Sequence, residues 1–303
     1  MTDKISVIMP AYNASKYIEA SINCVISQVY KNWELIVVDD GSTDDTFTII
    51  ERYTHIDDRI KVIRQENKKQ GEAKNQAIKN CTGKYLAFLD ADDLWMPNKL
   101  SISLRELKKG NYDLLFTDAY FFENEFIELK QYQTFGITEH IYHGKEGILM
   151  FLENNRIPNL TVLVKTDIIT FAGPFRNIHA AEDYDMWLRL LSHGARFKAI
   201  GETLSMYRMH NESVSAKDRN AIYETISVLK CFGAQNNEFK EIVRKISKDK
   251  FRYWLYNDPH LTKKKIRALL SVFSFNIYKI PITFLSYLLP ISIFRKIINR
   301  IIL

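Results

Sequence analysis

A chain of 303 residues with 46% hydrophobic and 26% charged content is long and apolar enough to bury a large core, which excludes a disordered chain. Three cysteines, Cys24, Cys81 and Cys231, are odd in number, far apart and without a Cys-x-x-Cys pair, which excludes a disulfide framework and a zinc site of that kind. The net charge of +6 is uneven: residues 217–303 carry 17 Lys and Arg against 6 Asp and Glu, while the remainder carries 25 against 30, so the acidic first part is not built for nucleic acid and the basic last part suits an anionic partner.

The N-terminal Met-Thr-Asp-Lys-Ile-Ser has no basic region followed by an apolar one, so no signal peptide is expected and a reducing cytosol fits. Over the first ~117 residues, strand-like and helix-like patterns alternate with short connections, the signature of βαβ units and a parallel sheet. The expected strands are Ile5 to Met9, Glu34 to Val38, Ile60 to Arg64, Tyr85 to Leu89 and Asp113 to Phe116, with helices beginning near Ser15, Thr43, Gly71 and Pro97. Residues 118–180 are less regular, a helix is expected from Ala180-Ala181-Glu182-Asp183 to Gly194, and consecutive basic helices follow Lys217. The charge shift places a boundary near 215, between a first domain 1–215 (halves 1–117 and 118–215) and a helical tail 216–303.

Each expected strand of the first half ends in polar residues, where open α/β sheets bind ligands. After the first strand stands Met9-Pro10-Ala11-Tyr12-Asn13 in place of the Gly-x-Gly-x-x-Gly of dinucleotide-binding folds. Tyr12 offers an aromatic face for a base or ribose, and Asn13 is suited to cap the next helix. The second strand ends in Val38-Asp39-Asp40-Gly41-Ser42, and a carboxylate there can accept a hydrogen bond from a base imide or a ribose hydroxyl. The fourth ends in Leu89-Asp90-Ala91-Asp92-Asp93, three carboxylates within four residues. Such like charges call for a hard divalent cation or a cationic ligand, and Mg²⁺ or Mn²⁺ is the natural candidate; a solvated turn and helix N-cap is the plainer alternative.

In order, Pro10-x-Tyr12-Asn13, Val37-Val38-Asp39-Asp40-Gly41-Ser42-x-Asp44, Asn75 in Ala73-Lys74-Asn75, Leu89 to Asp93, and Glu182-Asp183 resemble the inverting family-2 glycosyltransferases of GT-A fold over roughly residues 4–210. The resemblance implies an α/β, Rossmann-like, mostly parallel sheet flanked by helices, here with a C-terminal basic helical extension. It implies that Pro10, Ala11 and Tyr12 line the nucleoside, that Asp40 binds the base, and that Asp92 is the metal-binding carboxylate. It further implies that Asp90 and Asp93 contact ribose or sugar or orient Asp92, and that Asp183 beside Glu182 is the catalytic base. Lys74 stands where relatives often carry Arg and is expected near a phosphate, without the bidentate fork. In Tyr207-Arg208-Met209-His210-Asn211-Glu212-Ser213, Arg208 is expected to contact the diphosphate and His210 to approach the metal; His179 is a weaker acceptor candidate.

The Gln-x-x-Arg-Trp signature of processive synthases is missing, so the expected reaction is a single transfer from a UDP-sugar to a glycan or lipid-linked acceptor, with a β-linkage. Two alternatives stay open: a non-catalytic domain that only binds a sugar nucleotide or partner, and a haloacid-dehalogenase-type phosphatase with Asp90 as nucleophile. Against the phosphatase, Leu94 stands where Thr or Val usually follows, and the motif comes after three βα units. Ile280 to Phe294 is uncharged but 15 residues long with two prolines, short of the ~20 needed to span a bilayer. With Lys263, Lys264, Lys265, Arg267, Lys279, Arg295, Lys296 and Arg300 around it, the tail is expected to dock on an anionic membrane, peripheral on the cytoplasmic face.

Overall fold

The computed structural model describes residues 3–127, 130–210, 221–257, 262, 266 and 289–302. The chain divides into two compact units, Met1–Lys217 and Asp218–Leu303.

The first unit is a mixed sheet of nine strands among the described residues, in the order β3-β2-β1-β4-β8-β6-β9-β5, with β7 paired to β9. Its parallel part comprises β1 (Ile5–Ala11), β2 (Trp33–Asp39), β3 (Ile60–Arg64) and β4 (Tyr85–Phe88). All residues of β1, β2 and β4 are buried, as expected where helices cover both faces of a parallel sheet. On one face, Ile5, Val7, Met9, Leu35, Val37 and Ala87 join a core with α1 (Ile18–Ile26), α2 (Thr46–Thr54) and α4 (Lys99–Lys109). On the other, Phe88 meets the rings of Phe175 and Trp187 at 5.6 and 6.1 Å. Here lie α3 (Lys69–Lys79) and α7 (Glu182–Ser192). The chain leaves β1 toward β2 and β3 on one side and returns to β4 on the other, so β1 and β4 flank a topological switch point, the usual place for a ligand crevice.

Beyond β4 the sheet mixes directions. β5 (Leu94–Trp95), β6 (Leu114–Phe122), β7 (His140–Tyr142), β8 (Leu163–Lys165) and β9 (Phe197–Arg208) complete it, with β8 antiparallel to both β4 and β6. The irregular stretch 118–180 thus contains the end of β6, β7, α5 (Gly144–Glu153), β8 and α6 (Thr166–Ala172). The fold class is the one expected. The corrections are local: β1 and β2 run two residues longer, β4 stops one residue sooner, β6 continues to Phe122, and β9 is not among the expected strands.

In the second unit, α8 (Ala221–Gln235) and α9 (Lys240–Asn257) form a helical hairpin, with α10 (Ile291–Ile302) following. Ile226, Leu229, Phe232, Val243, Phe251 and Leu255 are buried. No helix of the described residues is long and apolar enough to cross a membrane. Of the tail residues expected to meet a membrane, Arg295, Lys296 and Arg300 lie on α10, while Lys263, Lys264, Lys265, Arg267, Lys279 and most of Ile280 to Phe294 fall outside the described residues.

Candidate active site

The carboxyl ends of β1, β2 and β4 open into a crevice of about 410 Å³, lined among others by Pro10, Ala11, Tyr12, Asp40, Asp90, Asp92, Glu182 and His210. Three non-glycine residues on its wall, Asn13, Lys69 and Ala180, have positive φ (49°, 75° and 57°), a backbone state that costs L-residues energy and concentrates at functional sites.

At the nucleoside end, Tyr12 is 52% exposed, leaving its ring open to stacking. Asn13 does not cap α1: its Oδ1 accepts from Thr43 N–H at 2.8 Å while its own N–H donates to Ser42 Oγ at 3.0 Å, so it ties the first turn to the second. The Asp40 carboxylate lines the crevice but commits both oxygens to the next loop. Oδ1 accepts from Gln65 Nε2 (2.7 Å) and Lys68 N–H (2.8 Å), and Oδ2 from Lys69 N–H (2.9 Å). A ligand imide would have to use a remaining lone pair. Gly41 (φ +78°) lets this loop close, since a Cβ there would stand 2.9 Å from Asn67 N.

At the end of β4, Ser21 Oγ of α1 lies 2.9 Å from both the Ala91 and Asp93 carbonyls and fixes the acidic turn. Asp92 Oδ2 stands 2.8 Å from His210 Nε2, joining the loops after β4 and β9, and the His210 ring lies 4.9 Å from that of Tyr17. Asp90 has a buried Oδ1 without a hydrogen-bond partner, and burial, with Asp92 and Glu182 close by, pushes its carboxyl up to about 6 despite Lys74. Asp93 is buried off the crevice. It accepts Arg208 N–H at 2.7 Å, leaves Oδ2 unsatisfied, and is raised well above the usual carboxylate range by burial, Asp92 and Asp90.

Two basic residues expected at the ligand are used elsewhere. Arg208 is buried, with Nε on the Asp92 carbonyl at 2.7 Å, Nη1 on the Asn124 carbonyl and its guanidinium over Phe122 and Tyr17. It braces the acidic turn from behind. Lys74 is fully buried and bonds Glu182 Oε1 at 2.7 Å. Burial pulls its ammonium down, but Glu182, Asp90 and Asp183 outweigh this and hold it raised. It serves as the counter-ion of the acidic cluster. The lysine on the crevice wall is the exposed Lys69, at the start of α3, which sequence reasoning missed; Lys68-Lys69 just ahead of a helix start was the available signal.

Asp183 is half-buried in the first turn of α7, beside but not on the crevice wall formed by Glu182. Its Oδ1 accepts Tyr184 N–H at 2.6 Å and its Oδ2 lies 3.5 Å from Asn155 Nδ2. Burial and Glu182 push its carboxyl up to about 7, with Lys74 opposing. Asn75 holds the preceding loop by a two-point clamp, Nδ2 to the Phe175 carbonyl (2.9 Å) and Phe175 N–H to Oδ1 (2.8 Å). Arg189 binds the Pro174 carbonyl at 2.9 Å and pairs with Asp185, which also takes Arg176. His179, on the same loop, lines the crevice.

Among the described residues no group of three or more His, Cys, Asp or Glu side chains is arranged to hold an ion; Asp92 and His210, 2.8 Å apart, would offer two donors. That set fits Mg²⁺ or Mn²⁺ of the kind held by one or two protein ligands plus substrate phosphates.

The family model for Glycosyl transferase family 2 matches residues 6–171, which takes in the ends of β1, β2 and β4 but stops before α7. TuaG of Bacillus subtilis (strain 168) is 34% identical over 224 residues, covering 73% of this chain and 85% of that protein. The Escherichia coli protein WfgD, a UDP-Glc:alpha-D-GlcNAc-diphosphoundecaprenol beta-1,3-glucosyltransferase, is 36% identical over 217 residues, 70% of this chain and 79% of its own. Residues 1–349 of S. aureus TarS, crystallised with UDP-GlcNAc, share the fold with a TM-score of 0.70 at 17% identity, over 96% of this chain and 89% of that one. A strand-end crevice of this composition, a family model spanning more than half the chain and relatives above 30% identity along most of their length together place the chain in glycosyl transferase family 2, as a glycosyltransferase of GT-A fold.

Proposed function

We propose that this enzyme moves one sugar from a UDP-sugar to a hydroxyl of a lipid-linked or cell-surface glycan, inverting the anomeric centre to give a β-linkage. The observation that carries the reading is the meeting of Asp92 with His210, 118 residues apart, on a crevice walled next by Glu182 at the start of α7. Support for a UDP-sugar donor and a lipid-linked acceptor comes from WfgD, whose name specifies both.

In this reading the uridine lies against Pro10, Ala11 and Tyr12, with Asp40 and the loop it anchors at the base. Lys69 and the amino end of α3 face the diphosphate, and Asp90 meets the ribose or sugar. Asp92 and His210 hold the divalent ion, which supplies charge neutralisation on the departing diphosphate when bound. Asp183 accepts the acceptor hydroxyl's proton as that oxygen bonds the anomeric carbon from the face opposite the breaking C–O bond. A base so placed is worth ~10² to 10⁴ in rate. Lys74, Asp93 and Arg208 act from behind, neutralising and bracing the groups that touch substrate.

The test is a panel of nucleotide sugars scored for nucleoside diphosphate release. Activity should appear with a UDP-sugar, vanish in excess chelator and be absent from Asp92→Asn; full activity in chelator breaks the metal assignment, and inorganic phosphate as product would restore the phosphatase reading.

The basic tail is proposed to dock on an anionic membrane surface from the cytoplasmic side, each basic residue contributing roughly 1 kcal/mol. Of its described helices, α10 buries Phe294 and Ile298 and carries Arg295, Lys296 and Arg300. Replacing Lys263, Lys264 and Lys265 by Glu should release the protein from phosphatidylserine vesicles at low salt; undiminished binding would overturn the docking.

A further inference from the structure

Asp183 is on the wall of neither of two cavities but adjoins a lining residue of each. Its neighbour Glu182 lines the donor crevice, whereas Asp183 itself meets Asn155, at 3.5 Å, and Asn155 lines a separate cavity of about 440 Å³. Two irregular segments build it, Phe135 to Thr138 ahead of β7 and Asn154 to Pro158 after α5. Its wall carries an aromatic face and amides. Phe135 is 38% exposed, with its ring held from behind by Phe121 at 4.2 Å and Tyr207 at 5.8 Å. Tyr142, buried between Phe116 and Phe151, makes a second ring on the lining. Asn154 and Asn155 bring two carboxamides; that of Asn155 takes Ile157 N–H on Oδ1 at 3.3 Å and turns Nδ2 to Asp183, keeping a second lone pair and a second N–H. Arg156 also lines the cavity, close enough to Tyr142 to oppose the rise that burial gives its phenol, with Nε on the Met150 carbonyl at 2.8 Å and Nη2 3.4 Å from Glu153.

An exposed ring beside amides matches the two surfaces of a pyranose, whose C–H face packs on an aromatic while its hydroxyls need donors and acceptors. With the Arg156 cation already engaged by Glu153 and the Met150 carbonyl, the wall is matched to a neutral ring more than to a phosphate. We propose that this cavity receives the terminal sugar of the acceptor, its ring face on Phe135 and its attacking hydroxyl between Asn155 and Asp183. Asn155 then acts as a positioning residue, holding Asp183 Oδ2 toward the incoming hydroxyl. This rests on the reading of Asp183 as the base, and it assigns acceptor choice to residues 135–138 and 154–158, away from every strand-end motif.

The experiment is saturation-transfer NMR of 4-nitrophenyl glycosides of glucose, galactose and N-acetylglucosamine with the UDP- and Mn²⁺-loaded enzyme, and UDP titration beside it. At least one glycoside should bind the wild type and Phe135→Trp, and bind Phe135→Ala and Asn155→Ala at least tenfold more weakly, with UDP affinity unchanged within about twofold. No glycoside bound by the wild type, or equal binding by both alanine variants, overturns the proposal. Should Phe135→Ala lose UDP as well, its fold is damaged, and Asn155→Ala, an exposed side chain, decides. Glycoside binding by a wild type that does not bind UDP would leave this cavity standing and break the donor reading instead.

Discussion

Buried carboxylates sit at both ends of the parallel sheet, and they are treated in opposite ways. At the amino end, Glu34 of β2 is 1% exposed and surrounded by donors: Ser6 Oγ at 2.7 Å, Thr82 N–H at 2.6 Å, Thr82 Oγ1 at 2.8 Å, Lys61 Nζ at 2.9 Å and Lys4 Nζ at 3.1 Å. Burial alone would raise it, but these partners draw its carboxyl down to about 2. At the carboxyl end, Asp90, Asp93 and Asp183 have too few donors and too many like charges, and all three are raised. Glu34, its lone pairs filled by its own chain, is a structural joint; Asp90, on the crevice wall with an oxygen short of a donor, can take one from a ligand.

The sharpest test of that contrast is Asp183→Asn. Transfer should fall by ~10² to 10⁴ while UDP affinity stays within a few fold, measured by steady-state kinetics and titration. Equal loss of UDP binding would move Asp183 from base to donor contact. In the wild type, kcat/KM should rise with pH through about 7, since a base must be ionised to accept a proton.

Next in size is Lys74→Met. Removing one partner of a buried pair leaves Glu182 uncompensated and should cost about 3–5 kcal/mol in denaturant unfolding, with Lys74→Arg retaining more of it. Because Lys74 opposes the rise of Asp183, what folds of Lys74→Met should show its acid limb at higher pH. An unchanged stability and limb would mean that the acidic cluster does not depend on this cation.

Glu34→Gln and Asp90→Asn make the same chemical change at the two ends and should have opposite signs. Glu34→Gln should lose roughly 2–3 kcal/mol at pH 7, since each tenfold change in a carboxyl's proton affinity on folding is worth ~1.4 kcal/mol. A depressed carboxyl contributes stability that is full above its unfolded value of 4.5 and is lost as pH falls toward about 2, so the two proteins should converge in acid. Asp90→Asn should gain about 0.5–1 kcal/mol at pH 7 while losing activity. A raised carboxyl costs stability progressively as pH climbs from 3.8 through about 6, so the gain should disappear below pH 4. Loss of stability in both variants would erase the distinction.

The parallel half of the fold is legible because its physics is local. Strands buried on both faces read as apolar runs, and β1 and β2 contain their expected spans; β3, a partly exposed edge strand, coincides with its own. The later strands are not, because β5, β7 and β8 are only two or three residues long and have meaning only through antiparallel partners far along the chain. The same limit governs the site. Asp92 and His210 can each be picked out by residue type, and the fold brings them together. Lys74 and Arg208 look like phosphate contacts because a sequence shows a charge without its partner; Glu182 lies 108 residues from Lys74, and the Asp92 carbonyl 116 from Arg208. Asp40 departs from expectation in the milder sense that its lone pairs are already shared with Gln65, Lys68 and Lys69.

The Asn75 clamp on Phe175 joins residues 100 positions apart, and this orders events on the ribosome. A nascent chain that has made the donor half still lacks the loop that Asn75 grips, and at ordinary synthesis rates another 100 residues take roughly 5–20 s. His210 arrives later still, 118 residues after Asp92. Throughout that interval the growing polypeptide holds its acidic turn without the helix start of α7 or the imidazole, so under the proposed reaction the half-made enzyme would leave sugar nucleotides intact until residue 210 has emerged and folded back.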